Sequence, residues 1–133
     1  MSKEFNKNKV VVITGGAKKI GRATAKKLAD QGFNILIHTG GKSIEEAKKT
    51  VEIVKGYGVK SNFVVGDLVD LTTINKIKEA AEKLGTPSVL INNAALRIHE
   101  DFEKITYEDW KKVMAINVDA SFLCTQALIG YMT

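Results

Sequence analysis

The sequence predicts an α/β protein built on a parallel β-sheet. Short β-branched runs alternate with longer stretches of helical periodicity from residue 10 onward. The first of these runs, Val10–Ile13, ends in Thr14-Gly15-Gly16, and a helix-compatible stretch begins near Ile20-Gly21. A strand, a glycine turn and a helix in this order can bind a dinucleotide pyrophosphate, because the glycines let the backbone approach the phosphates and the helix offers unpaired N–H groups.

The first half of the chain contains two such units. Val10–Ile13 predicts a buried strand, and the helix from Ile20 to Gln31 is expected to stop at Gly32. Asn34–His38 predicts the second strand. A second helix then opens at Ser43, whose S-x-x-E pattern with Glu46 predicts a capping box, and it ends at Gly56.

The second half repeats the pattern. Asn62–Val65 predicts the third strand, and a helix opens at Asp70 and ends at Gly85. Thr86-Pro87 predicts a turn, and Val89–Ile91 the fourth strand. Thr106 is expected to cap a last helix, whose predicted inner side includes Trp110, Asn117 and Cys124.

The order βαβαβαβα with helical crossovers predicts a doubly wound sheet of the Rossmann type, with strand order 3-2-1-4 and helices on both faces. Residues 1–8 are expected to be a flexible N-terminus and residues 9–133 one dinucleotide-binding domain. The last helical pattern extends almost to Thr133 without a capping turn or a next strand. We therefore expect a chain truncated after the helix that follows the fourth strand.

Composition narrows the classes of function. The chain has 133 residues, 44% of them hydrophobic, and a net charge of +5. Its lysines occur as scattered pairs, which predicts solvated helix faces and disfavours nucleic-acid binding. No membrane span, signal peptide or metal site is expected. The one cysteine, Cys124, is expected to be inert core packing and fits a cytoplasmic protein.

Four segments resemble the short-chain dehydrogenase/reductase family. Thr14–Gly21 is similar to its T-G-x-x-x-G-x-G loop, and Asp67-Leu68 resembles its adenine-contacting acidic position. Asn92–Ala95 is similar to its N-N-A-G, and Trp110–Asn117 to the helix segment that carries a catalytic Asn. The resemblance extends from about Lys9 to the C-terminus. It implies hydride transfer between a nicotinamide cofactor and a carbonyl compound or alcohol.

Two residues depart from the family pattern. Lys19 replaces the middle glycine of the loop, so we expect backbone angles there that are not glycine-like. The A-K-K-I-G form resembles loops of pteridine reductases and related carbonyl reductases, which bind NADPH. Ala95 replaces the glycine of N-N-A-G, and its methyl group is expected to be tolerated.

The end of the second strand favours NADP over NAD. An acid there would bind the 2′-hydroxyl of NAD and repel a 2′-phosphate, and the segment of residues 38–43 contains none. Lys18, Lys42 and Ser43 are predicted to surround the phosphate. His38 is predicted either to flank the adenine side of the cofactor or to be an ordinary strand-end histidine. The predicted cofactor-binding residues are Gly15, Gly16, Ala17, Lys18, Lys19, Ile20, Gly21, His38, Gly40, Lys42, Ser43, Asp67, Leu68, Asn93, Ala94 and Ala95.

In catalysis, the resemblance implies a Tyr acid/base, a Lys that lowers its pKa, a Ser that orients the carbonyl and an Asn that supports a proton-relay water. Only the Asn is matched, by Asn117. The family's Ser and Tyr-x-x-x-Lys come after the last helix, so we expect this chain alone to lack turnover. Tyr107 and Lys111 form a Y-x-x-x-K at the wrong place and are predicted to be helix-surface residues.

The remaining expectations concern partners. Arg97 and His99 follow the N-N-A-A turn and are candidates for contacts to a small carbonyl or alcohol substrate, with surface loop residues as the alternative. In complete family members the last helix is commonly an oligomer interface, which implies a homo-oligomer. The alternative function is a non-catalytic dinucleotide-binding or interaction module.

Overall fold

The computed structural model describes residues 3–133 and contains a parallel β-sheet covered by helices on both faces. The strands are β1 (Lys9–Ile13), β2 (Asn34–Thr39), β3 (Ser61–Val65) and β4 (Thr86–Ile91). The helices are α1 (Lys3–Asn6), α2 (Lys19–Asp30), α3 (Ile44–Lys55), α4 (Leu71–Leu84), α5 (Tyr107–Met114) and α6 (Ala120–Leu128). A π-helical turn, Ala115–Asp119, joins α5 to α6, and 3-10 turns cover Phe102–Lys104 and Ile129–Tyr131.

The strands run parallel in the order β3-β2-β1-β4, which confirms the predicted 3-2-1-4 arrangement. In the central register, Val12 of β1 lies beside Leu36 of β2 and Leu90 of β4. Because all strands point the same way, their carboxyl ends meet at one edge of the sheet. In an open α/β sheet this edge is where a ligand binds.

Alternation along the strands divides the core between the two faces. Val11 and Ile13 of β1 face α2 and α3, whereas Val10 and Val12 face α4 and α6. All four side chains are fully buried. Because both faces are covered, β1 and β2 are buried along almost their whole length, as a doubly wound sheet requires. The predicted fold class is confirmed.

The predicted turn at Thr86-Pro87 is wrong. Both residues belong to β4, where Thr86 pairs with Lys9 and Pro87 with Val10. The chain reverses one residue earlier, at Gly85, whose φ of 148° places it in the region that favours glycine. Pro87 cannot donate a ladder hydrogen bond, and the register with β1 shifts just after its partner, between Val10 and Val11.

The predicted cap at Thr106 is confirmed, and Asp70, where a helix was expected to open, caps that helix. The amide of Thr72 donates to Asp70 Oδ1 at 2.9 Å, and the amide of Asp109 donates to Thr106 Oγ1 at 3.0 Å. The capping box at Ser43 is wrong, because the Ser43 side chain makes no capping hydrogen bond within residues 3–133. The carboxylate of Glu46, which would complete the box, instead accepts a hydrogen bond from Arg22 Nη2 at 2.7 Å.

The N-terminal segment of residues 1–8 contains one element that the sequence did not predict. Residues 1–2 lie outside the described part of the chain, and α1 follows them. Asn6 is buried, and its Nδ2 donates to the carbonyl of Gln31 at 2.7 Å, at the end of α2. That residues 1–8 are flexible stays a prediction.

The last helix is not one regular helix with a single inner side. Cys124 is buried as expected, but Trp110 is 55% exposed and Asn117 is also exposed. The reason is the π-helical turn at Ala115–Asp119, which inserts one extra residue and rotates the rest of the helix by roughly 100°. A stripe extrapolated at 3.6 residues per turn therefore misplaces the residues before the turn.

The helical stretch Tyr107–Tyr131 also corrects the expectation that no segment reaches membrane-spanning length. It has 25 residues and a mean hydropathy of 1.4 over its most apolar window, which suffices to cross a membrane by length and composition alone. In this fold the stretch packs as a helical layer against the sheet, because Ala120, Cys124 and Leu128 belong to the core. Cys124 is buried in the core as expected, and burial raises the pKa of its thiol to about 11, which disfavours the reactive thiolate.

Candidate functional site

A cleft of about 770 Å³ lies at the carboxyl edge of the sheet. Its walls are the four segments that follow the strands, together with the end of α5 and the π-helical turn. The described residues that line it are Gly15, Lys18, Lys19, Ile20, Gly21, His38, Thr39, Gly40, Lys42, Ser43, Gly66, Asp67, Leu68, Val69, Asn93, Ala94, Ala95, Leu96, Lys112, Ala115 and Ile116. The volume suits a ligand of cofactor size.

The glycine loop, residues 14–21, packs too closely for side chains at two of its glycines. A Cβ added to Gly21 would lie 2.8 Å from the carbonyl oxygen of Gly15 and closer still to Gly16. Gly15 has a φ of 60°, and a Cβ there would lie 2.8 Å from Ala94 Cα. Both positions therefore require glycine for packing, and Gly15 requires it for its backbone angle as well. The result is a turn whose backbone faces the cleft at the start of α2.

Thr14 and Asn93 tie this loop to the end of β4. The backbone amides of Asn93 and Ala94 both donate to Thr14 Oγ1 at 3.0 Å. The side-chain Nδ2 of Asn93 donates to the carbonyl of Gly15 at 3.0 Å. The neighbouring Asn92 instead points its Nδ2 towards Thr125 of α6, 3.4 Å away. The two asparagines thus have different partners, and it is Asn93 that fixes the loop.

His38 ties the same loop to β2 and β3. Its ring is 3% exposed, Nδ1 accepts the hydrogen bond of the Gly15 amide at 3.1 Å, and Nε2 lies 2.8 Å from the Gly66 carbonyl. These partners require a proton on Nε2 and none on Nδ1. Burial lowers the pKa of His38, against smaller opposing effects of the Gly66 carbonyl and Asp67. The ring borders the cleft, but both of its nitrogens are engaged within the protein.

Lys19 has an unexpected backbone conformation. Its φ is 54°, in the left-handed region, although the sequence predicted non-glycine angles at this position. That prediction was wrong, because the loop keeps the path that a glycine would take. A non-glycine residue in this region costs about 1–2 kcal/mol. The exposed Lys19 side chain lines the cleft beside Lys18, whose own φ of −153° is extended.

The charges around the cleft are mainly positive. The described lining residues include one acid, Asp67, and four lysines, Lys18, Lys19, Lys42 and Lys112. Ser43, at the start of α3, also lines the cleft. Positive side chains beside a helix N-terminus favour an anionic ligand, because the unpaired N–H groups add a partial positive charge.

The segment after β3 forms an apolar wall with one acid. Asp67 is exposed, and its Oδ1 accepts the amide of Val69 at 3.1 Å, which closes a local turn. Leu68 is only 2% exposed and joins the core cluster beneath the sheet edge. The two residues therefore act differently: Leu68 anchors the segment, and Asp67 presents a carboxylate at the rim.

Asn117 lies outside the described lining of the cleft but contacts one lining residue. Its Oδ1 accepts the amide of Leu96 at 2.8 Å, and its Nδ2 donates to the carbonyl of Leu96 at 3.0 Å. Asn117 belongs to the π-helical turn, an irregularity that is frequent at functional sites. This pair of hydrogen bonds holds the segment after β4 against the last helix.

Several predicted site residues lie away from the cleft. Gly16 and Ala17 are buried residues of the glycine loop, and the Gly16 amide donates to the carbonyl of His38 at 3.0 Å. Arg97 and His99 are in the segment after β4 and lie outside the described lining set. Within residues 3–133, no group of three or more potential metal-binding side chains is found.

The Y-x-x-x-K of α5 is on the helix surface. Tyr107 is 71% exposed, the Lys111 ammonium lies 4.8 Å from the centre of its ring, and Lys111 also pairs with Glu108 at 3.1 Å. Neither Tyr107 nor Lys111 belongs to the described lining of the cleft. The pair forms a local surface contact of the first helical turns.

Sequence reasoning missed seven lining residues: Thr39, Gly66, Val69, Leu96, Lys112, Ala115 and Ile116. Thr39 and Gly66 end their strands at the carboxyl edge, so strand order alone could have found them. Lys112, Ala115 and Ile116 have helical spacing and share one side of the last helix. The sequence signal for them was present, but the π-helical turn obscured which side faces the cleft.

The sequence profile of the family described as short chain dehydrogenase matches residues 9–133. The L-2,3-butanediol dehydrogenase of Corynebacterium glutamicum is 37% identical over 121 residues, which cover 90% of this chain and 47% of that protein. The L-rhamnose 1-dehydrogenase (NADP(+)) of Thermoplasma acidophilum is 38% identical over 127 residues, which cover 95% of this chain and 50% of that protein. The chain thus spans about half the length of these relatives.

Solved structures with the same fold include oxidoreductases and a protein that binds NADPH. A blue fluorescent protein from a metagenomic library, in complex with NADPH, superposes with a TM-score of 0.86 and 30% identity over 95% of this chain and 52% of its own. The acetoin dehydrogenase of Salmonella typhimurium superposes with a TM-score of 0.85 and 29% identity over 93% of this chain and 49% of its own.

The backbone angle of Lys19 leads to a first prediction. We expect Lys19→Gly to raise the free energy of unfolding by up to about 1 kcal/mol, because glycine removes the cost of the left-handed conformation. Lys18→Gly is the matched control. Lys18 is extended, so we expect this variant to lower the free energy of unfolding by about 0.5–1 kcal/mol. Urea unfolding followed by circular dichroism measures both, and equal effects of the two variants would contradict the assignment.

The buried imidazole of His38 leads to a second prediction. Because its pKa is lowered in the folded chain, the unfolded chain binds more protons, and stability rises with pH. We expect the stabilisation to be complete above about pH 6.5, the pKa of a free imidazole, and to be lost as the pH falls below it. Urea unfolding between pH 7.5 and pH 5 measures this slope.

His38→Gln removes the titrating group and is expected to flatten the slope, at a cost of about 1–3 kcal/mol for the disturbed buried hydrogen bonds. His99→Gln replaces the histidine of the segment after β4 and is the control, expected to keep the wild-type slope. A slope that survives His38→Gln and disappears in His99→Gln would refute the assignment to His38.

Proposed function

The chain belongs to the short-chain dehydrogenase family, and we propose that it forms the cofactor-binding part of an NADP-dependent oxidoreductase that interconverts carbonyl compounds and alcohols. The observation that carries this proposal is the convergence of Lys18, Lys42 and Ser43 on the cleft beside the end of β2. The segment of residues 38–43 contains no acid to bind the 2′-hydroxyl of NAD. The relative from Thermoplasma acidophilum is named as an NADP(+) enzyme, which supports the same choice.

We propose a role for each part of the cleft in holding a dinucleotide. The close packing of Gly21 on Gly16 brings the loop backbone and the start of α2 to the cleft, where they would hold the pyrophosphate. Asp67 and Leu68 would border the adenine. Lys18, Lys42 and Ser43 would hold a 2′-phosphate with charge-assisted hydrogen bonds. The remaining predicted residues, Gly15, Gly16, Ala17, Lys19, Ile20, His38, Gly40, Asn93, Ala94 and Ala95, would shape or support this site.

The chemistry of the nicotinamide is hydride transfer, and the protein must supply binding, orientation and proton transfer. Asn93, Ala94 and Ala95 follow β4 and would border the reacting end of the cofactor. Asn117 is proposed as the catalytic asparagine. Its hydrogen bonds to Leu96 fix the segment next to that end, so it would also orient the site.

We propose that the 133-residue chain by itself binds cofactor without turnover. Tyr57, Tyr107 and Tyr131 lie outside the described lining of the cleft, so none of them is placed to exchange a proton with a substrate beside the cofactor. Tyr107→Phe in α5 is accordingly expected to leave any measured activity unchanged. A non-catalytic binding module is the alternative, which cofactor binding alone does not distinguish.

The substrate is proposed only as a small carbonyl compound or alcohol. The relatives named above act on a diol and a sugar, so membership of the family does not select a substrate. Arg97 and His99 are candidates for substrate contacts on the open side of the segment after β4. We propose a cytoplasmic location, because the one cysteine is free and buried, as is typical of a reducing compartment.

Titration calorimetry tests the cofactor assignment. We expect the chain to bind NADPH more tightly than NADH. We also expect Lys42→Ala to weaken the binding of NADPH about tenfold and to change the binding of NADH by less than about twofold. The reason is that only NADPH has a 2′-phosphate for Lys42 to contact. Lys76→Ala, on the outer side of α4, is the charge-matched control and is expected to change neither constant. Tighter binding of NADH by the unmodified chain would rule the proposal out.

We propose self-association through the last helix. Val118, Phe122 and Ile129 recur on one side of this helix and are 51%, 64% and 50% exposed. Apolar side chains repeated in this way form a patch that a second copy can cover. The unpaired edge of β4 is a second candidate surface, because it offers free backbone groups within the described chain.

Phe122→Asp tests the helical surface, because a charge in an apolar interface opposes association. We expect this variant to lower the weight-average mass in light scattering at tens of micromolar protein (roughly where weak contacts are populated). Asn75→Asp adds the same charge at an exposed position of α4, outside this helix, and serves as the control. A wild-type chain that is monomeric at that concentration would contradict the proposal.

A further inference from the structure

Arg22, in the first turn of α2, forms a cluster of hydrogen bonds behind the cleft. Its Nε donates to Thr50 Oγ1 at 2.8 Å, and its Nη2 lies 3.2 Å from the carbonyl oxygen of Ala17. The same Nη2 lies 2.7 Å from Glu46 Oε2 and 3.1 Å from the Glu46 carbonyl oxygen. Arg22 itself lies outside the described lining of the cleft.

One function of this cluster is geometric. Ala17 precedes Lys18 in the loop, and its carbonyl also accepts the hydroxyl of the fully buried Thr50 at 2.5 Å. Arg22 and Thr50 therefore fix the segment that carries Lys18 against α3. On the α3 side of the cleft, Ser43 directly precedes the helix. The distance between the Lys18 side and the Ser43 side of the cleft is thus set by contacts that no ligand makes.

The second function is electrostatic. Glu46 lies in the first turn of α3, one turn from Ser43 and Lys42. The hydrogen bond from Arg22 lowers the pKa of the Glu46 carboxyl, and the charges of Lys49 and Lys18 act in the same direction. The carboxylate also lies 3.9 Å from Lys49 Nζ, and Lys18 is among the positive charges that act on it. Its side chain is 38% exposed and that of Arg22 is 26% exposed, so their pairing is only partly screened by solvent.

We propose that Arg22 is a specificity-determining positioning residue. By binding Glu46, Arg22 keeps the Glu46 carboxylate from forming an ion pair with Lys18. It also keeps this negative charge from repelling a 2′-phosphate held by Lys18, Lys42 and Ser43. By binding Ala17, it holds Lys18 at the correct distance from α3. The preference for a 2′-phosphorylated cofactor then depends on a residue that does not contact the phosphate. This inference rests on the NADP assignment proposed above.

The test measures dissociation constants for NADPH and NADH by calorimetry and compares their ratio between variants. Arg22→Met releases the Glu46 carboxylate, and we expect the preference for NADPH to fall about fivefold. In Arg22→Met/Glu46→Gln the carboxylate is replaced by a neutral amide but the contact to Ala17 is still missing, so we expect the ratio to recover in part, to within about twofold of the unmodified chain. Glu46→Gln alone keeps the other contacts of Arg22 and adds net positive charge, so the preference is expected to rise about threefold.

The fragments 2′,5′-ADP and 5′-AMP, which differ in one phosphate, locate the effect. We expect Arg22→Met to weaken 2′,5′-ADP and to leave 5′-AMP nearly unchanged. Glu52→Gln removes a carboxylate at the far end of α3, where it pairs with Lys55 at 3.8 Å, and is the control expected to leave the ratio unchanged. Circular dichroism checks folding. If Arg22→Met does not fold, Glu46→Gln and Arg22→Lys, which keeps the charge, still test the proposal.

Two failures are distinguishable. An unmodified chain without preference for NADPH overturns the NADP assignment and this inference together. A chain that prefers NADPH, with a ratio that Arg22→Met leaves unchanged or that Glu46→Gln does not restore in the double variant, overturns the role of Arg22 alone. Equal weakening of NADPH and NADH in Arg22→Met has the same meaning, because a purely structural role would not discriminate between the cofactors.

Discussion

The hydroxyl of Thr14 fixes the glycine loop where β1 ends. It accepts the amides of Asn93 and Ala94, which belong to the segment after β4, while His38 at the end of β2 accepts the amide of Gly15. A loop that exposes its backbone to a ligand needs other groups to hold it, because its own amides cannot form regular structure. Three neighbouring strands supply these groups. The cleft exists because the carboxyl ends of these strands meet at one edge of a parallel sheet.

The other side of the loop is held by charge. Arg22 and Thr50 bind the carbonyl of Ala17, so the residue before Lys18 is fixed to α3 just as Gly15 is fixed to the strands. The cleft between these two attachments is lined by more lysines than acids. Behind it, the negative charge of Glu46 is paired with Arg22. Polar contacts within the protein thus determine which charges face the ligand. This agrees with a family whose members bind anionic nicotinamide dinucleotides.

Lys19 is the residue in the loop that conflicts with its local conformation. It occupies left-handed backbone space at φ 54°, where glycine is favoured, and its side chain extends into solvent beside the cleft. Around it, Gly15 and Gly21 are closely packed and Asn93 binds the Gly15 carbonyl, so the loop backbone is held on both sides of Lys19. Strain of this kind persists where the surroundings determine the backbone, and it is frequent at binding sites. Lys19 adds a positive charge at the cost of that strain.

The sequence alone determined the elements and their order. β-branched runs, helical stripes and glycine stops predicted four strands in the order 3-2-1-4, and strand ends together with the motifs predicted most of the residues that line the cleft. These features depend on periodicity and on residues close in the chain. Only the tertiary structure decided the partners of the polar side chains. His38 binds Gly15 and Gly66, Glu46 binds Arg22 instead of capping α3 with Ser43, and a π-helical turn rotates the last helix. The hydrogen bonds concerned join residues such as Arg22 and Glu46, 24 positions apart, or Thr14 and Ala94, 80 positions apart. No local pattern encodes a contact across such a separation, because it depends on where the packed sheet brings the two residues together.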